Sequence, residues 1–257
     1  MLELQNIKKI YNPGEITEMC LFDNFNLTIP NGQFVSVVGS NGSGKTTLLN
    51  IICGSIPLDS GKVLINGEDI TSMSEYRRYR KIGRVYQNPS AGSCPNLTIA
   101  ENMSLADNKG KFFGLGFAVN KKRLDYYRDQ LKSLSLGLED KLNVKVGSLS
   151  GGQRQALSLL LSTMTKIDFL ILDEHTAALD PKIAETIMQL TDKIVKEKKL
   201  TAIMVTHNLR YAVEYGDRIL MLHKGESVFD RCGEEKQEMS VNDILGLFNK
   251  ISIECGN

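Results

Sequence analysis

Apolar residues in this chain fall into short runs punctuated by turn formers, and the period of the pattern changes along the sequence. Residues 2–10 alternate apolar and polar, which predicts an antiparallel strand with one buried face. A second strand is predicted over residues 20–27, with Asn12-Pro13-Gly14 and Pro30-Asn31-Gly32 marking the turns. Residues 62–65, the pair Asn66-Gly67 and residues 68–70 read as a hairpin, as do residues 218–222 and 226–229 around Lys224-Gly225. Four other runs lack the alternation: 34–38, 82–86, 169–172 and 201–205. They predict strands covered on both faces, as in a parallel sheet.

The stretch 88–148 differs. Residues 88–97 are loop-like, with Pro89 and Pro95; residues 98–105 predict a helix whose Thr98 and Glu101 form a capping box. Residues 109–120 are glycine-rich and expected to be mobile. Leu124, Tyr127, Leu131 and Leu134 stand at helical spacing within 121–136, and residues 241–249 predict a short amphipathic helix. Residues 76–81 carry four positive charges and read as a solvated helix face. The whole predicts an α/β fold with a mostly parallel core, an antiparallel β-lobe and a helical lobe. Residues 1–87 and 166–230 are assigned to core and β-lobe, 88–165 to the helical lobe, and 231–257 to a C-terminal extension of one domain.

Composition narrows the class. The 257 residues are 42% hydrophobic and 24% charged, a globular balance. A net charge of +1 gives no electrostatic case for nucleic acid. The five cysteines are scattered and odd in number, which argues against a disulfide framework or a metal cluster. No apolar run approaches the roughly 18–20 residues that span a bilayer, and no signal peptide is expected.

Residues 39–46 carry the first specific chemistry: Gly39-Ser40-Asn41-Gly42-Ser43-Gly44-Lys45-Thr46. They lie between a predicted buried strand and a predicted helix, the setting a phosphate-binding loop requires. Glycines let successive N–H groups turn inward toward phosphate oxygens, and the helix N-terminus adds partial positive charge. Lys45 is the candidate partner of the β- and γ-phosphates, Thr46 a Mg2+ ligand, and Thr47 a donor to the α-phosphate.

The run 169–172 ends in Asp173-Glu174, carboxylates at the carboxyl end of a central strand, where ligands bind in open α/β sheets. Asp173 is the candidate Mg2+ ligand, through water, and Glu174 the candidate general base. His207 follows the run 201–205 at the same kind of edge. Gln87 follows the run 82–86.

Residues 149–153 read Leu-Ser-Gly-Gly-Gln. With the phosphate loop, Asp173-Glu174 and His207 in this order, the chain resembles the ATP-binding cassette ATPases of ABC transporters over residues from about 11 to 225. That resemblance implies a phosphate-loop NTPase fold and further roles. Gln87 would sense Mg2+ and the membrane partner, Tyr11 would stack on adenine, and His207 would contact the γ-phosphate. Asp180 would belong to the loop Ala178-Leu179-Asp180. Ser150, Gly151, Gly152 and Gln153 would bind the ATP held by a second copy, so two chains would form a head-to-tail dimer sandwiching two ATP molecules. Lys45, Gln87, Glu174 and His207 would form the catalytic set.

Two departures stand out: His175 where the family usually has Pro, and a helix after the signature without its common Ala-Arg-Ala tail. With Asn12-Pro13-Gly14 after Tyr11, they resemble a smaller bacterial branch linked to uptake of aromatic amino acids such as tryptophan or tyrosine. The resemblance implies an integral-membrane permease as direct partner, an extracytoplasmic substrate-binding lipoprotein as indirect partner, and a place at the cytoplasmic membrane face. Residues 88–105 would form the coupling surface. An exporter cassette is the alternative, as is a soluble cassette ATPase acting on DNA or ribosomes; this chain has neither the inserted coiled coil nor the second cassette of the latter.

Overall fold

The computed structural model describes residues 1–111 and 119–254, with side chains to residue 250. In chain order the elements are β1 (Leu2–Tyr11), β2 (Met19–Ile29), β3 (Phe34–Gly39), α1 (Lys45–Cys53), β4 (Ser60–Ile65), β5 (Glu68–Asp69) and α2 (Glu75–Arg78). Then come β6 (Ile82–Val85), α3 (Ile99–Asp107), α4 (Leu124–Lys132), α5 (Gly151–Thr163), β7 (Phe169–Asp173) and α6 (Pro181–Glu197). The last are β8 (Ala202–Val205), α7 (Leu209–Glu214), β9 (Arg218–His223), β10 (Glu226–Cys232), α8 (Glu234–Gln237) and α9 (Val241–Glu254). These elements fall into two compact units, one of Met1–Arg78 with the segment from Lys199 onward, the other of Tyr79–Lys198.

In the first unit, β2, β1, β4 and β5 form an antiparallel sheet. Strand β3 pairs in parallel with β8 on one side and β9 on the other, and β10 closes the edge antiparallel to β9. Every residue of β3 and β8 is buried, which explains their unbroken apolar patterns. The β9–β10 turn is Lys224-Gly225 with φ of 46° and 81°, the positive pair that a two-residue hairpin needs. Helix α9 closes the unit by setting Ile244 against Val38, Ala212, Ile219 and Met221.

The basic run 76–81 departs from its expectation at one position. Helix α2 is a single turn, and Arg78 is buried rather than solvated. Its guanidinium donates to the carbonyls of Ile51 (2.7 Å) and Ile52 (3.0 Å), and to those of Thr71 (2.7 Å) and Met73 (3.0 Å). Arg78 therefore caps C-terminal carbonyls of α1, adding to the bond that the Ile51 carbonyl accepts from Gly54 N–H at 3.1 Å.

In the second unit, β6 and β7 pair in parallel. The expected helical lobe, 88–165, lies inside this unit, which also takes in β6, β7 and α6. Thr98 and Glu101 form the capping box of α3; Tyr127 and Leu131 are buried on α4 as their spacing predicts, but the helix ends at Lys132, so Leu134 is buried from the turn beyond it, and Leu124 is only partly buried. Of the glycine-rich stretch, residues 112–118 lie outside the described residues. Among the described residues no helix is long and apolar enough to cross a membrane.

Candidate functional site

In the first unit the chain leaves β3 at Gly39 and enters α1 at Lys45, as the loop pattern requires. Gly39 approaches the backbone of β9 so closely that a Cβ there would stand 2.3 Å from the Leu222 carbonyl oxygen. Gly44, at the N-terminus of α1, has φ of 104° and faces the Phe22 ring, so a side chain would meet both strain and steric conflict. Lys45 is 5% exposed. Its ammonium donates to the carbonyls of Gly39 and Ser40, each at 2.8 Å, and lies 3.5 Å from the Ser43 hydroxyl. The loop thus wraps its own cation. Ser40, Asn41 and Gly42 are exposed at its rim, Ser43 and Gly44 are buried beneath it, and Thr46 is exposed at the start of α1.

Two further candidates gather at this loop. The Tyr11 hydroxyl, at the end of β1, lies 3.2 Å from the Thr47 hydroxyl on α1, and the Lys9 ammonium sits 5.5 Å from the Tyr11 ring centre. In the β3–β8 register Val37 faces Val205, and Thr206 N–H donates to the Val37 carbonyl. His207 therefore leaves the sheet at the carboxyl edge from which Gly39 also leaves, and it is exposed.

The remaining candidates lie in the second unit. Val85 faces Leu172 in the β6–β7 register, so Gln87 and Asp173-Glu174 emerge at one edge of this strand pair. Gln87 is exposed. The backbone leading to it is held by α5, where Gln155 donates to the Tyr86 carbonyl (3.1 Å) and the Ser162 hydroxyl lies between the carbonyls of Arg84 (2.9 Å) and Ser158 (2.8 Å). Asp173 accepts from the Arg84 guanidinium at 2.7 Å, with the two side chains 14% and 7% exposed. Glu174 has φ of 46°, an unusual conformation for a residue with a side chain. His175 is 2% exposed and bonded to Thr191 at 3.1 Å; burial lowers its pKa to about 4, so it is neutral.

The signature residues build the start of α5. Ser150 is its N-cap, and Ser150 and Gln153 form a reciprocal capping box. Gln153 also donates to the Leu136 carbonyl at 3.2 Å. Gly152 is buried against α6, where a Cβ would come 2.4 Å from Ile183 Cγ2, and Gly151 is partly exposed. Ser150 is exposed at the N-terminus of this 13-residue helix, an end whose partial positive charge suits an anion. Asp180 is exposed and caps α6, accepting from Ile183 N–H at 3.2 Å.

Also in this unit is a mostly apolar groove of about 380 Å³, with Tyr79, Arg84, Tyr86, Cys94, Leu105 and Lys109 among its walls. No group of three or more His, Cys, Asp or Glu side chains able to hold a metal occurs among the described residues. Thr46 in the first unit and Asp173 in the second each carry an oxygen of the kind that Mg2+ accepts, an ion that readily keeps phosphate oxygens and waters as its other ligands.

Sequence reasoning missed three residues. Arg84 carried a signal, since an arginine inside a buried strand demands a buried partner. Gln155 lies two residues past the signature, and its partner, the Tyr86 carbonyl, is 69 residues away. His175 departs from the usual Pro, and its partner Thr191 lies 16 residues away on α6.

A family model described as "ABC transporter" matches residues 22–177. The "Tyrosine transport ATP-binding protein" of Clostridioides difficile is 48% identical over 250 residues, 96% of this chain and 98% of that protein. The "Spermidine/putrescine import ATP-binding protein" of Haemophilus influenzae is 34% identical over 96% of this chain, which spans only 62% of that longer protein. Among solved structures, the dimeric ATP-binding cassette MJ0796 in a post-hydrolysis state bound to ADP and Pi superposes with a TM-score of 0.76. It is 33% identical, over 90% of this chain and 98% of that one.

Proposed function

This chain belongs to the ABC transporter family as an ATP-hydrolysing cassette, and from that premise we propose that it powers uptake of an aromatic amino acid through a membrane permease. The observation that carries the solute class is the 48% identity, across nearly its whole length, with a tyrosine transport ATP-binding protein. Contacts with the solute lie in other chains, so relatedness supports the solute and geometry supports the engine.

In the proposed cycle Tyr11 stacks on adenine, and the loop from Gly39 to Thr46 wraps the phosphates with its N–H groups while Lys45 neutralises them. Thr47 lies beside both groups and donates to the α-phosphate. Thr46, Asp173 through water, and Gln87 would hold Mg2+, which neutralises charge on the β- and γ-phosphates when bound. Glu174 accepts the proton of the attacking water, and His207 hydrogen-bonds the γ-phosphate. Ser150, Gly151, Gly152 and Gln153 of a second copy, with its Asp180 loop, close over the same ATP. The partial positive charge at the start of that copy's α5 lies toward the phosphate. Closure is favoured because ATP gains ligands from both chains only in the closed dimer.

The dimer sits at the cytoplasmic face of the membrane, with an extracytoplasmic binding lipoprotein delivering solute to the permease. The coupling surface is residues 88–105 and the groove they help to line. The test is uptake of labelled tyrosine and tryptophan by cells from which this chain has been deleted. Uptake should fall and return with the parent chain but not with Glu174→Gln. Undiminished uptake of both amino acids would remove the solute assignment, and recovery of the tagged chain without any permease would remove the transporter partner.

A further inference from the structure

Arg84 touches two places with different proposed functions. Its guanidinium donates to Asp173 Oδ2 at 2.7 Å. The same group stacks over the Tyr86 ring at 4.7 Å, and the Tyr86 hydroxyl lies 2.9 Å from that of Tyr79. Arg84, Tyr86 and Tyr79 all line the groove, and Cys94 stands on its wall. The backbone leaves β6 just beyond Arg84 and reaches Gln87 three residues later.

We propose that Arg84 is a positioning residue that sets the Mg2+ affinity of Asp173 according to what fills the groove. This rests on the reading of Asp173 as a Mg2+ ligand. The physical reason is competition. A guanidinium holding one carboxylate oxygen lowers the negative charge Asp173 offers to a cation, and a divalent ion must work against it. The stack on Tyr86 fixes where the guanidinium lies. An occupant of the groove that displaces Tyr86 or draws Arg84 toward itself loosens the grip on Asp173 and strengthens metal binding. Arg84 thus joins the surface proposed to meet the permease to the carboxylate proposed to meet the metal, without any movement of backbone.

The experiment uses the full chain carrying Glu174→Gln, so that ATP is not consumed. Mg2+ is titrated at fixed ATP, and the midpoint is read from the rise in thermal unfolding temperature, which reports ligand binding rather than turnover. Arg84→Met should lower the Mg2+ midpoint by about tenfold, the ratio that loss of one charge-assisted contact sets. Arg84→Lys keeps a charge but loses the fork and the stack, and should shift it part of the way; it also covers the case in which Arg84→Met does not fold.

A second arm attaches a bulky maleimide to Cys94, with Cys20→Ser, Cys53→Ser, Cys232→Ser and Cys255→Ser. The label should lower the midpoint when Arg84 is present and leave it unmoved in Arg84→Met. Midpoints unchanged in both Arg84 variants, or a label effect that survives in Arg84→Met, overturn the inference. Asp173→Asn separates the two readings. With Arg84 intact it should raise the midpoint; if it does not, the assignment of Asp173 has failed and the inference falls with it.

Discussion

His175 Nε2 lies 3.1 Å from the Thr191 hydroxyl, and that hydroxyl donates to the Ile187 carbonyl at 2.8 Å. A hydroxyl has one proton, so Thr191 accepts from His175, and the ring carries its proton on Nε2. The bond ties the residue after Glu174 to α6, both ends buried. Thr191→Val leaves the Nε2 proton without an acceptor and should cost about 1–3 kcal/mol. Adding His175→Ala to Thr191→Val should cost less than His175→Ala alone, with a coupling of about 1 kcal/mol in urea denaturation. Additive costs would show that the pair does not interact. Nitrogen chemical shifts of the ring give an independent reading of the tautomer.

The Tyr11 hydroxyl meets that of Thr47 at 3.2 Å on the helix that follows the phosphate loop, while the proposed stacking on adenine uses the ring. Shape should therefore matter more than the hydroxyl. Tyr11→Phe keeps the ring and should hold ADP affinity to within about threefold, the worth of a modest hydrogen bond. Tyr11→Ala should weaken binding by about 1–3 kcal/mol, the range for base–aromatic stacking. Equal losses in the two variants, measured by titration calorimetry with ADP, would exclude stacking.

Glu174 stands at φ of 46° directly after the last residue of β7. Gln has the same length and loses only the basic oxygen, so the turn is unperturbed. Glu174→Gln should retain nucleotide binding while phosphate release slows by about 100-fold or more, the usual contribution of a positioned general base. Turnover within a few-fold of the parent would remove Glu174 from that role.

The parallel strands and the phosphate loop were legible because each rests on a local rule. Buried strands lose alternation, and a loop around phosphate needs glycine at fixed offsets. The signature was legible as a motif, and its capping box follows from Ser150 and Gln153 three residues apart. What escaped depends on residues distant in sequence. Arg78 reads as one of several exposed cations until Ile51 and Ile52 at the end of α1 supply carbonyls for it. Arg84 and Asp173 are 89 residues apart, and only the pairing of β6 with β7 brings them together. Short-range periodicity holds no information about such partners.

Lys109 gives the chain a pH signature. Its ammonium donates to the Ile82 carbonyl at 3.0 Å, and it shares the groove with Arg84, Tyr79, Tyr86 and Cys94. Desolvation lowers its pKa from 10.5 to about 8. The unfolded chain therefore takes up this proton at a higher pH than the folded one, and between those values the unfolded state binds more protons. Stability must rise with pH across the window from about 8 to 10.5 and fall as pH drops back through it. The contribution is about 1–3 kcal/mol once the solvent that still reaches the side chain is allowed for. Lys109→Met removes the titrating group and fills the same space. The difference in unfolding free energy between parent and Lys109→Met, measured in urea at pH 7.5 and 10.5, should therefore move in favour of the parent at the higher pH. A difference that stays constant would place the Lys109 ammonium in water.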